Sequence, residues 1–144
     1  MPSSYTVKRV IDASPEQIWA LLEDASGYAR WNQAVVSLGG RIAEGETIKL
    51  VSSVNPKRTF SLKVSDVEPQ RTMVWSDGMP LGLFRGVRTI ALRPLSDSRT
   101  EFAMQELYSG PLAPLITKAI PDLNESFAQF ADGLKAAAES AQVI

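Results

Sequence analysis

Near the C-terminus, apolar residues recur at steps of four, three and four: Leu123, Phe127, Phe130 and Leu134, followed on the same side by Ala137, Ala138 and Ala141. At ~100° per residue these fall within one arc of an α-helix, and Glu125, Gln129, Asp132, Lys135 and Glu139 fall opposite. The spacing predicts a long amphipathic helix within the segment from Pro111 to Ile144. Nothing else in the chain reads as a comparably long helix, so its apolar face must pack on strands from the middle of the sequence. A core helix covering a sheet satisfies that pattern, and so does a helix that closes a cavity.

Tyr5 to Ile11 mixes β-branched residues with charges and reads as a strand. Ser14-Pro15-Glu16-Gln17 then starts a helix: Ser as N-cap, Pro at the first helical position, and Gln three residues after the cap to reach back to its N–H. Ile18, Leu21 and Leu22 form its apolar face, with Trp19 on the flank. Asp24-Ala25-Ser26-Gly27 interrupts it, and Tyr28 to Asn32 reads as a second short helical turn ending at Trp31.

Strands follow. Beyond Val35-Val36, turns are expected at Gly39-Gly40 and Glu44-Gly45, before a strand from Thr47 to Ser53. Asn55-Pro56 is expected to turn the chain, after which Phe60, Leu62 and Val64 alternate with Ser61, Lys63 and Ser65. Glu68-Pro69-Gln70 turns it again into Thr72 to Asp77. Setting Val64 opposite Trp75 puts Phe60, Leu62, Val64, Met73, Trp75 and Asp77 on one face, so a carboxylate sits among apolar neighbours.

The stretch from Asp77 to Gly86 is rich in Gly and Pro yet carries Met79, Leu81, Leu83 and Phe84. Such a loop either tucks over a core or forms the mouth of a pocket. Val87 to Leu95 and Thr100 to Tyr108 make a hairpin. A three-residue loop Ser96-Asp97-Ser98 pairs Arg93 with Glu101, Leu92 with Phe102, Ile90 with Met104, Thr89 with Gln105 and Arg88 with Glu106. A two-residue loop would instead set Leu92 against Glu101 and Val87 against Glu106, losing every like-with-like pair. The first register places Leu92, Ile90, Phe102 and Met104 inward, and with them Arg88, Glu106 and Tyr108. Leu112, Leu115, Ile116 and Ala119 suggest a short apolar helix, which Pro121 must break.

Composition narrows the chemistry. The 144 residues suit one domain spanning 1–144, and 44% hydrophobic content suffices for a core without disulfides or metals. Charge is balanced at 15 Lys plus Arg against 16 Asp plus Glu, with no long run of either sign, so no nucleic-acid footprint appears. No apolar run is long enough to insert across a bilayer, and the start of the sequence lacks signal-peptide architecture, so a cytoplasmic location is expected. With no His and no Cys, triad nucleophiles, a His general base and the usual zinc ligand sets are excluded. Any catalysis must rest on Asp, Glu, Arg, Tyr, Lys or hydroxyls.

The element order is α+β: a curved antiparallel sheet of about seven strands wrapped around a long C-terminal helix, with two short helices after the first strand. Ala13-Ser14-Pro15-Glu16-Gln17-Ile18-Trp19, Tyr28-x-x-Trp31, Gly45-Glu46, Glu68-Pro69 with Trp75, and the Phe127/Phe130 helix together resemble the START-like, helix-grip superfamily SRPBCC. The branch they look most similar to is the polyketide cyclase/dehydrase and lipid-transport group, across essentially the whole chain. The resemblance implies a cavity for a small hydrophobic molecule between sheet and helix, with no metal and no cofactor. Candidate lining residues are Trp75, Met73, Leu62, Ile90, Met104, Phe84, Leu115, Phe127 and Phe130. Candidate chemical residues are Arg88, Tyr108, Glu106 and Asp77; Arg88 and Tyr108 are of the types some family cyclases place in their cavity. Three functions follow: a binder or carrier of an aromatic, polyketide-like or acyl molecule, a metal-free cyclase or dehydratase, or a protein-interaction module acting through residues 79–84. A protein partner or a homo-oligomer stays open.

Overall fold

A computed structural model describes residues 4–140. Seven strands, β1 (Ser4–Ile11), β2 (Val35–Gly39), β3 (Thr47–Ser52), β4 (Asn55–Glu68), β5 (Thr72–Gly78), β6 (Arg85–Ser96) and β7 (Arg99–Ser109), form one antiparallel sheet in the order β1-β7-β6-β5-β4-β3-β2. The two strands that are consecutive at the start of the chain therefore lie at opposite edges. Helices α1 (Pro15–Leu22) and α2 (Tyr28–Trp31) carry the chain from one edge to the other. After β7 come a short turn of helix α3 (Ala113–Ile116) and the long helix α4 (Asn124–Ser140), which lies across the concave face. This is the helix-grip arrangement.

The start of α1 forms as its sequence requires. Gln17 N–H donates to Ser14 Oγ at 3.3 Å, and Gln17 Oε1 accepts from Ser14 N–H at 3.0 Å. Trp19 corrects the expected facing: it is buried, and Leu21 is the half-buried residue. The two-turn helix α1 meets both α4 and β6, so more than one of its faces is covered.

Phe127, Phe130, Leu134 and Ala138 of α4 are all buried, as their spacing requires. Ala141 lies outside the described residues. The helix is tied to β1 by two polar links, Arg9 Nε to Asp132 Oδ1 at 2.7 Å and Lys135 Nζ to the Val10 carbonyl at 2.7 Å, and to the residue just after it by a third, Asp12 N–H to Glu139 Oε2 at 2.9 Å. Gly133 lets α4 approach α2 closely, since a Cβ built there would stand 2.1 Å from the Trp31 carbonyl oxygen. Ile120, preceding Pro121, is extended (φ −83, ψ 129) and ends the short helical segment before α4, as a pre-proline residue should.

Strand register agrees with the pattern of apolar and charged positions. Val64 pairs with Trp75, and β6 pairs with β7 through Arg88–Glu106, Ile90–Met104, Leu92–Phe102 and Arg93–Glu101. The loop that sets this register differs from expectation. It is a two-residue turn, Asp97-Ser98, and Leu95 bulges out between the Pro94–Thr100 and Ser96–Arg99 pairs. The bulge absorbs the residue that a two-residue turn alone would have misplaced. Asn55-Pro56 likewise opens β4 instead of turning the chain, and the turn falls at Ser53-Val54. Between the Leu50–Phe60 and Ser52–Asn55 pairs, residues 56–59 lie opposite a single residue of β3, so Pro56 occupies an irregularity where no ladder N–H is required.

Candidate functional site

Across β5, β6, β7 and β1, the inner face of the sheet is a stack of rows, because directly paired residues of antiparallel strands point the same way. One row is Met73, Ile90, Met104 and Val7, all buried beneath α4. The next is Trp75, Arg88, Glu106 and Tyr5. The third is Asp77, Gly86 and Tyr108. Apolar floor gives way to polar groups within two residues along each strand, and there a cavity of about 250 Å3 opens between the sheet, the start of α4 and the segment joining α3 to α4.

The polar groups form a short chain. Arg88 Nε donates to Glu106 Oε1 at 2.8 Å, the Tyr108 hydroxyl donates to Glu106 Oε2, and the Arg88 and Glu106 side chains are each only 15% exposed. The guanidinium also lies over the Phe127 ring, 4.9 Å from Cζ to centroid, with the Phe130 ring at 6.0 Å. Both carboxylate oxygens of Glu106 are thus occupied. No described residue accepts from the Nη groups of Arg88, and they are not sealed from solvent, so they face the cavity. Phe84 stacks on Tyr108 with centroids 5.9 Å apart and walls the same space.

Gly86 makes the third row possible. A Cβ there would stand 3.1 Å from Asp77 Oδ1 and 3.5 Å from the Tyr108 ring, so its absence lets the carboxyl and the phenol lean over the middle strand. Burial raises the pKa of Asp77, the negative charge of Glu106 adds to that, and Arg58 and Arg88 pull the other way. Burial also raises Tyr108, reinforced by the charge of Glu106 and by the hydrogen bond to its carboxylate, so this phenol holds its proton more tightly than a free tyrosine.

All four chemical candidates, Arg88, Tyr108, Glu106 and Asp77, line the cavity, as do Trp75, Leu62, Phe84 and Phe130. Met73, Ile90, Met104 and Phe127 do not: they are sealed in the core one layer below, with Phe127 separated from the space by the Arg88 guanidinium. Leu115 is 67% exposed and points away; Ile116 and Ile120 take the wall it was expected to form. The reason is local, since α3 is a single turn and its facing cannot be read from periodicity. Of the loop's four apolar residues only Phe84 turns inward, while Met79, Leu81 and Leu83 are exposed. Sequence reasoning also missed Arg58, whose guanidinium sits 4.5 Å over the Phe60 ring at the rim. The period of two that selects Phe60 and Leu62 selects Arg58 as well, once Asn55-Pro56 is no longer taken as a turn.

A curved sheet gripping one helix around a mostly apolar cavity with one polar wall defines a helix-grip, START-like protein. The family model described as polyketide cyclase / dehydrase and lipid transport matches residues 3–139, and the chain belongs to that family. Solved structures share the fold at low identity. An aromatase/cyclase of a Streptomyces species superposes with a TM-score of 0.74 at 13% identity, covering 94% of this chain and 93% of that one. A START superfamily protein of Mycobacterium smegmatis gives 0.69 at 15%, covering 96% and 98%. A protein of Mesorhizobium loti gives 0.71 at 19%, covering 98% and 99%. No curated protein sequence matches the chain.

Proposed function

We propose that this protein is a single-domain binder of a small, largely apolar molecule, held between sheet and helix with one oxygen acceptor on Arg88. The observation that carries the reading is the state of Arg88. One nitrogen is spent on Glu106, and the Nη groups face an otherwise mostly apolar cavity with no protein acceptor. Donors left in such a place are costly unless a ligand or water takes them. Because an apolar cavity of ~150 Å3 accepts benzene, the roughly 250 Å3 here favours a ligand of one or two rings over a long extended acyl chain. Glu106 already compensates Arg88, and Asp77 adds a carboxyl, so a neutral keto or hydroxyl group suits the site better than a carboxylate.

The cyclase or dehydratase reading is weaker. A proton donor is needed, yet the Tyr108 hydroxyl is committed to Glu106 and its pKa is raised, which leaves Asp77 as the one uncommitted proton carrier on this wall. Fluorescence titration tests the binder, since Trp75 lines the cavity. Saturable quenching by 2-naphthol or a flavonoid, weakened about 10–100-fold in Arg88→Met and abolished in the cavity-filling Leu62→Trp, is expected. A folded wild type that shows no saturable response to any such compound contradicts the proposal.

A further inference from the structure

Among the described residues, the buried polar side chains are Asn32, Thr100, Thr117 and Ser126. Three of them have a partner inside the fold. Asn32 Oδ1 accepts from the Ala34 N–H at 2.9 Å, the Thr100 hydroxyl donates to the Ala13 carbonyl at 2.8 Å, and the Thr117 hydroxyl donates to the Ala113 carbonyl at 2.7 Å. Asn32 Nδ2 has no partner, but that atom is sealed in protein. Ser126 differs from all of these. It is only 8% exposed, its hydroxyl has no hydrogen-bond partner among the described residues, and the oxygen is not sealed.

Ser126 stands in the first turn of α4 and lines the cavity beside Leu123 and Phe130, so its free hydroxyl opens on that space. Among the buried residues of α4 it alone is polar; Phe127, Phe130, Ala131, Leu134 and Ala138 complete the face. The helix gains nothing from the hydroxyl. At the start of α4 it is Asp122 that caps, its Oδ1 accepting from the Asn124 N–H at 2.9 Å, and alanine has the higher helix propensity at position 126. A nearly buried hydroxyl without a protein partner is a cost to the fold unless something in the cavity takes it.

Phe130 relates this hydroxyl to Arg88. It lies four residues after Ser126 on the same side of α4, about 5.4 Å further along the axis, and the Arg88 guanidinium is 6.0 Å from its ring. The cavity therefore offers free donors from the sheet and a free hydroxyl from the helix, one helical turn nearer its start than Phe130. We propose that Ser126 is a second recognition point, and that the ligand is a flat, neutral molecule of one or two rings with oxygen groups at both ends, one on Arg88 and the other on Ser126. This rests on the binding reading above and narrows it, since a compound with a single oxygen serves the sheet and leaves the helix hydroxyl unused. Because a hydroxyl both donates and accepts, Ser126 suits a keto or a hydroxyl group. Asp77, which could also take a ligand hydroxyl, lies on the sheet wall with Arg88, so a second oxygen bound there would run along the sheet and not across to the helix.

Isothermal titration with 2-naphthol and with 2,6-dihydroxynaphthalene tests the proposal. Wild type should bind the diol about fivefold more tightly than the mono-ol, the increment of one added hydrogen bond. Ser126→Ala should bring the ratio of the two dissociation constants to about one, with a thermal midpoint equal to or above that of wild type. Arg88→Met should weaken both compounds and keep the diol preferred. The proposal is overturned, with the binding reading left standing, if wild type binds 2-naphthol without preferring the diol, or if the preference survives Ser126→Ala but disappears in Asp77→Leu. A marked fall in the thermal midpoint of Ser126→Ala also overturns it, by giving the hydroxyl a structural role. A wild type that binds neither compound removes both the proposal and the reading beneath it.

Discussion

Arg88 holds Glu106 through a single bond, Nε to Oε1 at 2.8 Å, in a setting where each side chain is only 15% exposed. Removing one partner leaves a mostly buried charge uncompensated. Arg88→Ala should therefore destabilise the fold by about 3–5 kcal/mol in denaturant titrations. The double variant Arg88→Met with Glu106→Leu should recover most of that loss, because an apolar pair of similar volume removes both desolvation costs. A loss below about 1 kcal/mol for Arg88→Ala would mean that the pair is solvated.

Asp77 gives the fold a pH signature. Burial and the charge of Glu106 raise its pKa in the native state, so the native protein binds a proton that the unfolded chain releases. Stability from this group is fully present below the ordinary carboxylate pKa near 4, and is lost as pH rises through the raised native value. Asp77→Asn should therefore gain stability relative to wild type as pH rises above about 4, levelling off once wild-type Asp77 is ionised. Urea midpoints across the acid-to-neutral range check this; a difference that is flat or of opposite sign would contradict it.

Gly133 inverts a helix rule. Replacing a mid-helix glycine by alanine usually stabilises by roughly 0.5–1 kcal/mol. Here the added Cβ would meet the Trp31 carbonyl oxygen at 2.1 Å, backbone that can yield only if α2 moves. Gly133→Ala should lower stability by about 1–3 kcal/mol, read as a fall in thermal midpoint.

Core and cavity should separate under mutation. Phe127 is sealed and away from the cavity, so Phe127→Ala should cost about 3–5 kcal/mol. Leu62 is half-buried and borders the cavity. Leu62→Ala should cost less than Phe127→Ala in denaturant while altering ligand affinity more. Equal losses at the two positions would argue for a filled core in place of a cavity.

What could be read from sequence divides along physical lines. The strand rows were legible because a period of two and paired charges fix facing together: with Arg88 against Glu106, sliding the hairpin by one residue breaks every other pair. That register puts Arg88, Glu106 and Tyr108 on one face, and Val64 opposite Trp75 puts Asp77 on the apolar face of its own hairpin; the pairing of β5 with β6 is what joins the two. Depth was not legible. Met73, Ile90 and Met104 share a face with Trp75 and Arg88, but only the placement of α4 decides which row is sealed and which is open. Pro111, Pro114 and Pro121 divide the 111–121 segment into turns too short for a periodic face, so Leu115 stood in for Ile116 and Ile120. Gly86 gave no chemical signal, although the Asp77–Tyr108 row depends on its missing side chain.

The central claim, that this grip encloses a space kept for a ligand, is tested most directly by native mass spectrometry of the freshly purified protein, with extraction and identification of what it carries. A one-to-one adduct of a small, mostly apolar and neutral molecule, absent from Leu62→Trp, is the expected result. A bare protein mass, together with no thermal shift against fatty acids, flavonoids and aromatic polyketides, would contradict it.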